Sequence, residues 1–299
     1  MKKIKALSLF SGVGGTEILF NKEKIEVVAH SEILPYADAV LKYHYPNIKN
    51  LGDVCKIKSD NLPKYDLLLG GTPCQNLSYQ GDRSGLKGSK SALFFEYLRI
   101  LKETKPNFFL WENVKGALTS NNGEDFALIT KLFEEAGYEI QYKLFNSKDF
   151  GTIQARERVF IFGKRKGIKT KISKKLDSIV YGGKKYKQDK SKEIIAYSKS
   201  TRKSHYDYRL REDGLLNTLT TGIGCVGQST ANYAYENGIL RYLTPEECES
   251  LMTWPKNWTK YGVDKEGNIF EIPTRERYRL IGNGIVSTIS KEIIEQLIF

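Results

Sequence analysis

Short unbroken apolar runs alternate with stretches of helical period along the first half of the chain. The runs are IKALSLF (4–10), IEVVAHSE (25–32), YDLLLGG (65–71) and FFLWENV (108–114). The helical stretches are LPYADAVLKYHY (34–45), SALFFEYLRILKE (91–103) and EDFALITKLFEEAG (124–137). Strands that are apolar throughout, instead of alternating, are those buried on both faces. Helices between them supply the crossovers of a parallel sheet, so the pattern predicts an α/β fold. The third helix is expected to stop at Gly137, as a C-terminal glycine cap would stop it. Two further runs, YEIQYKLFN (138–146) and RERVFIFGKR (156–165), have too few residues between them for a helical crossover. They predict an antiparallel pair at one edge of the sheet.

After Gly163 the pattern breaks down, and a second domain is expected to begin near residue 165. LLNTLTTGIG (215–224) reads as strand and turn, and helical patterning returns at TPEECESLMTW (244–254). The chain closes with IVSTISKEIIEQLIF (285–299), an amphipathic helix whose strong apolar face is expected to dock on the first domain. The boundaries that follow are 1–164, 165–240 and 241–299, with no internal repeat.

Composition narrows the class. The chain has 299 residues, 40% hydrophobic and 12% aromatic, with 8 prolines. No apolar run approaches the ~20 residues of a spanning helix, so disorder, collagen-like repeats and a membrane bundle are excluded. MKKIKALSLF imitates a signal peptide but runs straight into SGVGG without a cleavage pattern, and is read as the first strand of a cytoplasmic protein. Cys55, Cys74, Cys225 and Cys248 form no cluster, and His30, His44 and His205 have no ligand spacing. Neither a disulfide framework, a metal site nor a histidine base is supported. The net charge is +12, and residues 164–213 hold 17 Lys+Arg against 6 Asp+Glu, so this segment carries +11 and the rest of the chain +1. Interleaved Tyr181, Tyr186, Tyr197, Tyr206 and Tyr208 suit a polyanion with stacking bases. A solvated lysine-rich insertion would look the same, and charge alone does not separate the two.

The chemistry-bearing residues fall at predicted strand ends. Phe10-Ser11-Gly12-Val13-Gly14-Gly15 follows the first strand and is expected to open a helix, its glycines permitting a tight turn and close backbone approach to a ligand. Glu32 ends the second strand, where a carboxylate can bond both ribose hydroxyls, and Asp53, after a third strand, can accept from an adenine amine. The spacing is not GxGxxG, which favours an adenosine ligand over a dinucleotide. Cys74, in GGTPCQNLS (70–78), leaves the fourth strand at the same face. It is placed as a nucleophile, or as the small buried hydrophobe that free cysteines usually are. Glu112, in WENV (111–114), puts a carboxylate on that rim, or a solvated charge at a strand end.

In this order, with Gln154-Ala155-Arg156-Glu157-Arg158, Arg241-Tyr242-Leu243-Thr244-Pro245-Glu246-Glu247 and Gly282-Asn283-Gly284-Ile285, these motifs resemble the DNA (cytosine-5) methyltransferase family of the bacterial and phage type, across nearly the whole chain. The resemblance implies a Rossmann-like S-adenosylmethionine-dependent methyltransferase sheet (1–164), a smaller, mostly irregular and β target-recognition domain (165–240), and a hinge with a returning C-terminal helix (241–299). It implies that Cys74 adds to C6 of a cytosine and that Glu112 bonds N3 and the exocyclic amine. Arg156 and Arg158 would hold the flipped base and its phosphate. Around S-adenosyl-L-methionine, Phe10 would stack on the adenine, Gly12, Val13 and Gly14 would line the methionine, and Glu32 would pair with the ribose. Asp53 would take the adenine amine, Val54 and Leu93 would flank the ring, and Pro73 and Asn283 would border the methionine end. Gln75, Ser78 and Arg83, in a lid-like loop of residues 75–90, with Thr218, Leu219 and Arg241, would meet the DNA.

The partner so implied is double-stranded DNA, with a target base extruded from the duplex and a site of roughly four to six base pairs. S-adenosyl-L-homocysteine would be the product, and no metal would take part. A monomer, cytoplasmic and nucleoid-associated through DNA, is expected, with a cognate restriction endonuclease acting without direct contact. Three departures stand out: Thr72 in place of an aromatic or apolar residue, GNGI in place of GNSV or GNAV, and LMTWPKNW in place of an LQGFP pattern. None removes a reacting group. The rivals are a transfer-RNA cytosine-5 methyltransferase, whose usual Cys-Phe-Thr after ENV is here Lys115-Gly116-Ala117, and a catalytically silent DNA-binding protein, against which the intact Cys74, Glu112, Arg156 and Arg158 argue.

Overall fold

The computed structural model describes residues 3–73, 92–169, 174–183, 193–199, 208–210, 213–223 and 230–299. The first half contains β1 (Ile4–Leu9), β2 (Ile25–Ser31), α1 (Pro35–His44), β3 (Lys49–Asn50), β4 (Leu67–Gly71), α2 (Ala92–Thr104), β5 (Phe108–Val114), α3 (Glu124–Glu135), β6 (Tyr138–Asn146), β7 (Gln154–Ala155) and β8 (Glu157–Arg165). Seven of these strands form one sheet in the order β3-β2-β1-β4-β5-β8-β6. β3 to β5 are parallel, and β8 runs antiparallel to both β5 and β6. The expected edge pair is present, with β8 inserted next to β5 and β6 left as the edge.

Period-2 alternation divides the apolar strand residues between two cores. Ala6, Leu67, Leu69, Phe108, Leu110, Phe160 and Phe162 share one with Val40 of α1 and residues near the C-terminus. Leu7, Leu9, Leu68, Phe109, Trp111, Val159 and Ile161 share the other with Phe94, Tyr97 and Leu101 of α2 and Ile129 and Phe133 of α3. Burial on both faces is why these strands read as continuous apolar runs. α3 ends as expected, with Gly137 at φ 95° and its N–H on the Glu134 carbonyl.

The helix expected after FSGVGG is not there. Residues 12–19 form consecutive turns, because Phe10, Gly12 and Gly14 all have positive φ and the short bonds from Gly14 to Ser11 and from Glu17 to Gly14 do not propagate. This run is tied down underneath by a buried pair, His30 Nε2 donating to Glu17 Oε1 at 2.9 Å.

The second half adds β9 (Glu193–Lys199), β10 (Tyr208–Leu210), β11 (Leu216–Asn217), β12 (Thr230–Glu236), β13 (Ile239–Tyr242), α4 (Pro245–Leu251), β14 (Tyr261–Val263), β15 (Ile269–Glu271), α5 (Thr274–Asn283) and α6 (Ser287–Ile298). A four-stranded antiparallel sheet has the order β10-β9-β12-β13. β11 instead pairs in parallel with β7, and Leu176 and Ile179 pack into the core of the large sheet. α4 starts on a capping box between Thr244 and Glu247. α6 returns to the first strand region, where Ser290 Oγ donates to the Thr16 carbonyl at 2.7 Å and Ser287 Oγ to that of Gly15. The hairpin β14–β15 and helix α5 have no counterpart in the pattern reading. Among the described residues, no helix is long and apolar enough to cross a membrane.

Gly163 of β8 faces Phe109 of β5, and a Cβ there would lie 1.9 Å from Cε1 of the ring. Gly163→Ala is therefore expected to destabilise the fold by about 3 kcal/mol in urea unfolding, and the double variant with Phe109→Leu to recover part of the loss.

Candidate active site

The order β3-β2-β1-β4-β5 reverses direction between β1 and β4, and a crevice opens outside the carboxyl ends of strands at such a crossover. The turn Phe10–Gly15 leaves β1 there, Thr72-Pro73 leave β4, and Glu32 and Glu112 stand at the ends of β2 and β5.

Glu32 organises the β1 side. Its Oε2 accepts from Gly12 N at 2.8 Å, and its Oε1 accepts from Ile33 N and Leu34 N, both at 2.8 Å. Burial pushes its carboxyl up from the ordinary value, and the backbone donors oppose this. A carboxylate oxygen can accept more than one bond, so Oε2 retains capacity for a hydroxyl. The Cβ position of Gly12 meets nothing within 4 Å, which leaves open space along the backbone of the turn. A nucleoside fits these features. Asp53 caps a short helical turn by accepting from Cys55 N at 3.0 Å, Val54 is buried and Leu93 partly buried. Pro73 and Asn283, at the ends of β4 and α5, are exposed. Ile33, which the sequence reading passed over, is 67% exposed beside the Glu32 carboxylate.

The turn itself is held from the far end of the chain. Val13 O accepts from Trp258 Nε1 at 2.8 Å, and the Trp258 ring stacks on His44 with centroids 3.6 Å apart. Cβ positions on Gly14 and Gly15 would meet Tyr45 and Ile285 at 3.0 Å, so both glycines are needed for close packing.

On the β4–β5 side, Glu112 pairs in register with Gly71. Its Oε1 lies 3.1 Å from Arg158 Nε, and both side chains remain partly exposed. Burial raises the Glu112 carboxyl, while Arg158 and then Arg156 pull it down. Thr72, a departure from the family pattern, is buried and its hydroxyl accepts from Trp111 Nε1 at 3.2 Å and Asn113 Nδ2 at 3.4 Å. A buried indole N–H needs a partner, so Thr72 and Trp111 belong together. Asn113 Nδ2 also donates to the Thr72 carbonyl at 3.3 Å. This bond anchors the backbone where the chain departs toward Cys74. Cys74, Gln75, Ser78 and Arg83 lie outside the described residues.

Four of the expected contact residues, Arg156, Thr218, Leu219 and Arg241, have hydrogen-bond partners within the chain. Arg156 is 3% exposed, and its guanidinium donates to the carbonyls of Leu219, Gly282 and Gly284 at 2.8, 3.2 and 2.5 Å. Leu219 is 1% exposed, its N–H on Gln154 Oε1 at 2.9 Å, and Thr218 Oγ1 donates to Ala155 O at 2.7 Å. The Leu219 side chain, which follows a short parallel strand, is drawn into the core. Arg241 is spent on Glu236 and Glu247, with four contacts of 2.7–3.0 Å, bracing β13 against the cap of α4.

Comparison with known proteins bears on the family and the fold. The family model for C-5 cytosine-specific DNA methylase matches residues 4–224 and 188–298. A type II methyltransferase, M.Bsp6I of Bacillus sp. (strain RFL6), is 31% identical over 323 residues, covering 98% of this chain and 98% of its own. The orphan methyltransferase M.SPRI of Bacillus phage SPR is 40% identical over 172 residues, which are 56% of this chain and 39% of the phage protein. The matched region likewise spans less than half of the Bacillus phage rho11s and Fusobacterium nucleatum relatives. Among solved structures, the Entamoeba histolytica methyltransferase EhMeth superposes with a TM-score of 0.73 at 15% identity, over 99% of this chain and 98% of that one. At that identity the likeness concerns the fold.

Because the folded Glu112 carboxyl is raised above its unfolded value, the folded state keeps the proton to higher pH. Its contribution is fully present below the unfolded value and is lost as pH rises through the folded one. The stability of wild type relative to Glu112→Gln is therefore expected to fall in urea unfolding as pH rises above the ordinary carboxylate range. A wild type that gained stability relative to Glu112→Gln as pH rose through that range would contradict the raised value.

Proposed function

The chain belongs to the C-5 cytosine-specific DNA methylase family, and from that premise we propose that it methylates C5 of a cytosine in a short sequence of double-stranded DNA. The observation that carries the reading is the convergence of strand ends at the crossover between β1 and β4. Glu112, braced by Arg158, stands beside Gly71, three residues before Cys74 in the chain, with the Gly12–Glu32 pocket on the adjoining strand ends.

S-adenosyl-L-methionine, when bound, supplies an electrophilic methyl group on a sulfonium. The open backbone at Gly12, the spare capacity of Glu32 Oε2 and the exposed apolar surface of Ile33 fit its adenosine part, with Phe10 and Val54 as further apolar surface, Asp53 as an acceptor, and Gly14, Pro73 and Asn283 along the methionine end. A cytosine is not nucleophilic at C5 until something adds at C6, and in a duplex neither position is accessible, so the base must leave the stack. The Cys74 thiolate forms the bond to C6, and the electron pair moves into the ring. Glu112 bonds N3 and the exocyclic amine, holding a proton where that charge develops. Arg158 keeps Glu112 aimed. After C5 has taken the methyl group, a water removes the C5 proton and the C6–sulfur bond breaks, restoring the ring and the thiolate.

The segment 165–240, with β9, β10, β11, β12 and the first half of β13, is the target-recognition domain on this reading, and its positive charge answers the phosphate backbone. One protomer suffices, since each strand is methylated in a separate encounter. An endonuclease sharing the sequence would act without touching it.

Expression in a host lacking cytosine methylation, followed by bisulfite sequencing, is expected to reveal protected cytosines in one short context. Cys74→Ser should abolish protection, and Glu112→Gln should slow methyl transfer by about 10²- to 10⁴-fold. If wild type protects no cytosine while S-adenosyl-L-homocysteine binds, DNA is not the substrate and labelled-methyl transfer to transfer RNA becomes the next assay. In calorimetry, Glu32→Gln is expected to weaken S-adenosyl-L-homocysteine about tenfold, because its amide turns a donor toward backbone donors.

A further inference from the structure

Arg156 is a buried cation with no carboxylate in ion-pair distance among the described residues. Its guanidinium joins two segments remote in sequence. Nη1 donates to Leu219 O just after β11, and Nη2 donates to the carbonyls of Gly282 and Gly284 at the end of α5. Nε is buried without a partner. The two segments touch at this point, since a Cβ on Gly282 would lie 2.3 Å from Thr220 C and 2.4 Å from Thr221 N. The same junction carries the pairing of β11 with β7, the bond from Thr218 Oγ1 to Ala155 O, and the bond from Leu219 N to Gln154 Oε1. Two residues beyond Arg156, Arg158 holds Glu112.

The choice of side chain has a physical reason. The last carbonyls of a helix lack internal partners and carry the negative end of its dipole, so the end of α5 compensates a cation that no acid neutralises. A planar guanidinium reaches three carbonyls at once in fixed directions, which an ammonium on a flexible stem does not. The buried stretch 154–156 therefore has the segment 216–221 on one side and, through Arg158, the reacting carboxyl on the other.

We infer that Arg156 is a positioning residue that couples the segment 216–221 to the Glu112–Arg158 pair, so that Glu112 is held for reaction only when that segment occupies its bonded place. The inference rests on the proposed function, because it takes this segment to belong to the part of the chain that reads DNA. Discrimination between sequences then arises in the methyl-transfer step, beyond what duplex binding supplies. A duplex that leaves the segment in place reacts fast, and one that displaces it loosens the strand that carries Arg158.

The test uses the full chain and the sequence that wild type methylates. Single-turnover rates are measured on that duplex and on duplexes changed at one base pair, with duplex and S-adenosyl-L-homocysteine affinities alongside. Arg156→Lys is expected to lower the rate on the target at least about tenfold, and to reduce the ratio of target to changed-duplex rates by a similar factor. The affinity for S-adenosyl-L-homocysteine should stay within about twofold of wild type. Thr218→Val removes one bond of the junction and no charge, and should shift the ratio in the same direction by about threefold. A lower rate with an unchanged ratio in both variants would mean that Arg156 only supports the fold, and loss of S-adenosyl-L-homocysteine binding along with the rate would mean the same. Should Arg156→Lys fail to fold, the ratio in Thr218→Val decides alone. Failure of wild type to methylate any duplex sinks the proposed function together with this inference, whereas an active wild type with unchanged ratios sinks the inference only.

Discussion

A sheet buried on both faces can present reacting groups only at the ends of its strands. Here α2 and α3 cover one face, and α1 and α6 help to cover the other. The side chains of β1, β4 and β5 are consumed by packing until the strands run out. What remains is the line of carboxyl-terminal exits, and among them the gap between β1 and β4 is the crossover from which successive connections turn away in opposite directions, the place where such sheets form a crevice. The turn after β1, Glu32 after β2, the Thr72-Pro73 exit of β4 and Glu112 of β5 are neighbours for that reason, although as many as 102 residues separate Phe10 from Glu112 in the chain.

Strand ends are also where backbone groups go unpaired, and the last third of the chain answers that need. The carbonyls of Val13, Gly15 and Thr16 take their donors from Trp258, Ser287 and Ser290. Trp258 is in turn held by a buried carboxylate. Glu249 accepts from Asn257 N, Thr259 N and Arg277 Nη2 at 2.7, 2.8 and 3.0 Å, fixing the loop on which the indole rides. The candidate nucleoside pocket is thus an assembly of both chain ends, with charged and polar contacts behind an apolar wall.

That division explains what was legible in the sequence. Strands buried on both faces announce themselves as apolar runs, and the final helix shows its apolar face, so the large sheet and the return of α6 were readable. Helix α5 was not, because one of its buried positions is Arg277, paired with Glu246 and Glu249. A pattern that counts arginine as solvent-facing sees no stripe there. The turn after β1 was read as a helix because glycine spacing marks permitted close approach without saying whether the backbone continues in the αR region. The motif order located Glu112 and Arg158 at the rim, but type and spacing could not say that Arg156 and Arg241 are bound by carbonyls and acids of their own chain, or that Leu219 points into the core. Partners distant in sequence decide such things.

The fate of Arg156 bears on Glu112, on the strand next to β8. A carboxyl that is to hold a proton against a ring nitrogen needs a raised proton affinity, and burial supplies it. Every cation brought against that carboxyl works in the opposite direction. Arg158, at 3.1 Å, already provides the direction and one compensating charge. A second guanidinium turned toward Glu112 would pull the carboxyl further down and favour the ionised form, which accepts bonds but has no proton to give. With its N–H groups on Leu219, Gly282 and Gly284, Arg156 contributes only a more distant field, while its own burial and the nearby Arg158 weigh against its charge and the end of α5 compensates it. One arginine aims the acid and the other is held off it by main-chain carbonyls. On the proposed chemistry, that separation lets a single short stretch, Arg156 to Arg158, serve both the junction between the two halves of the chain and a carboxyl able to keep its proton.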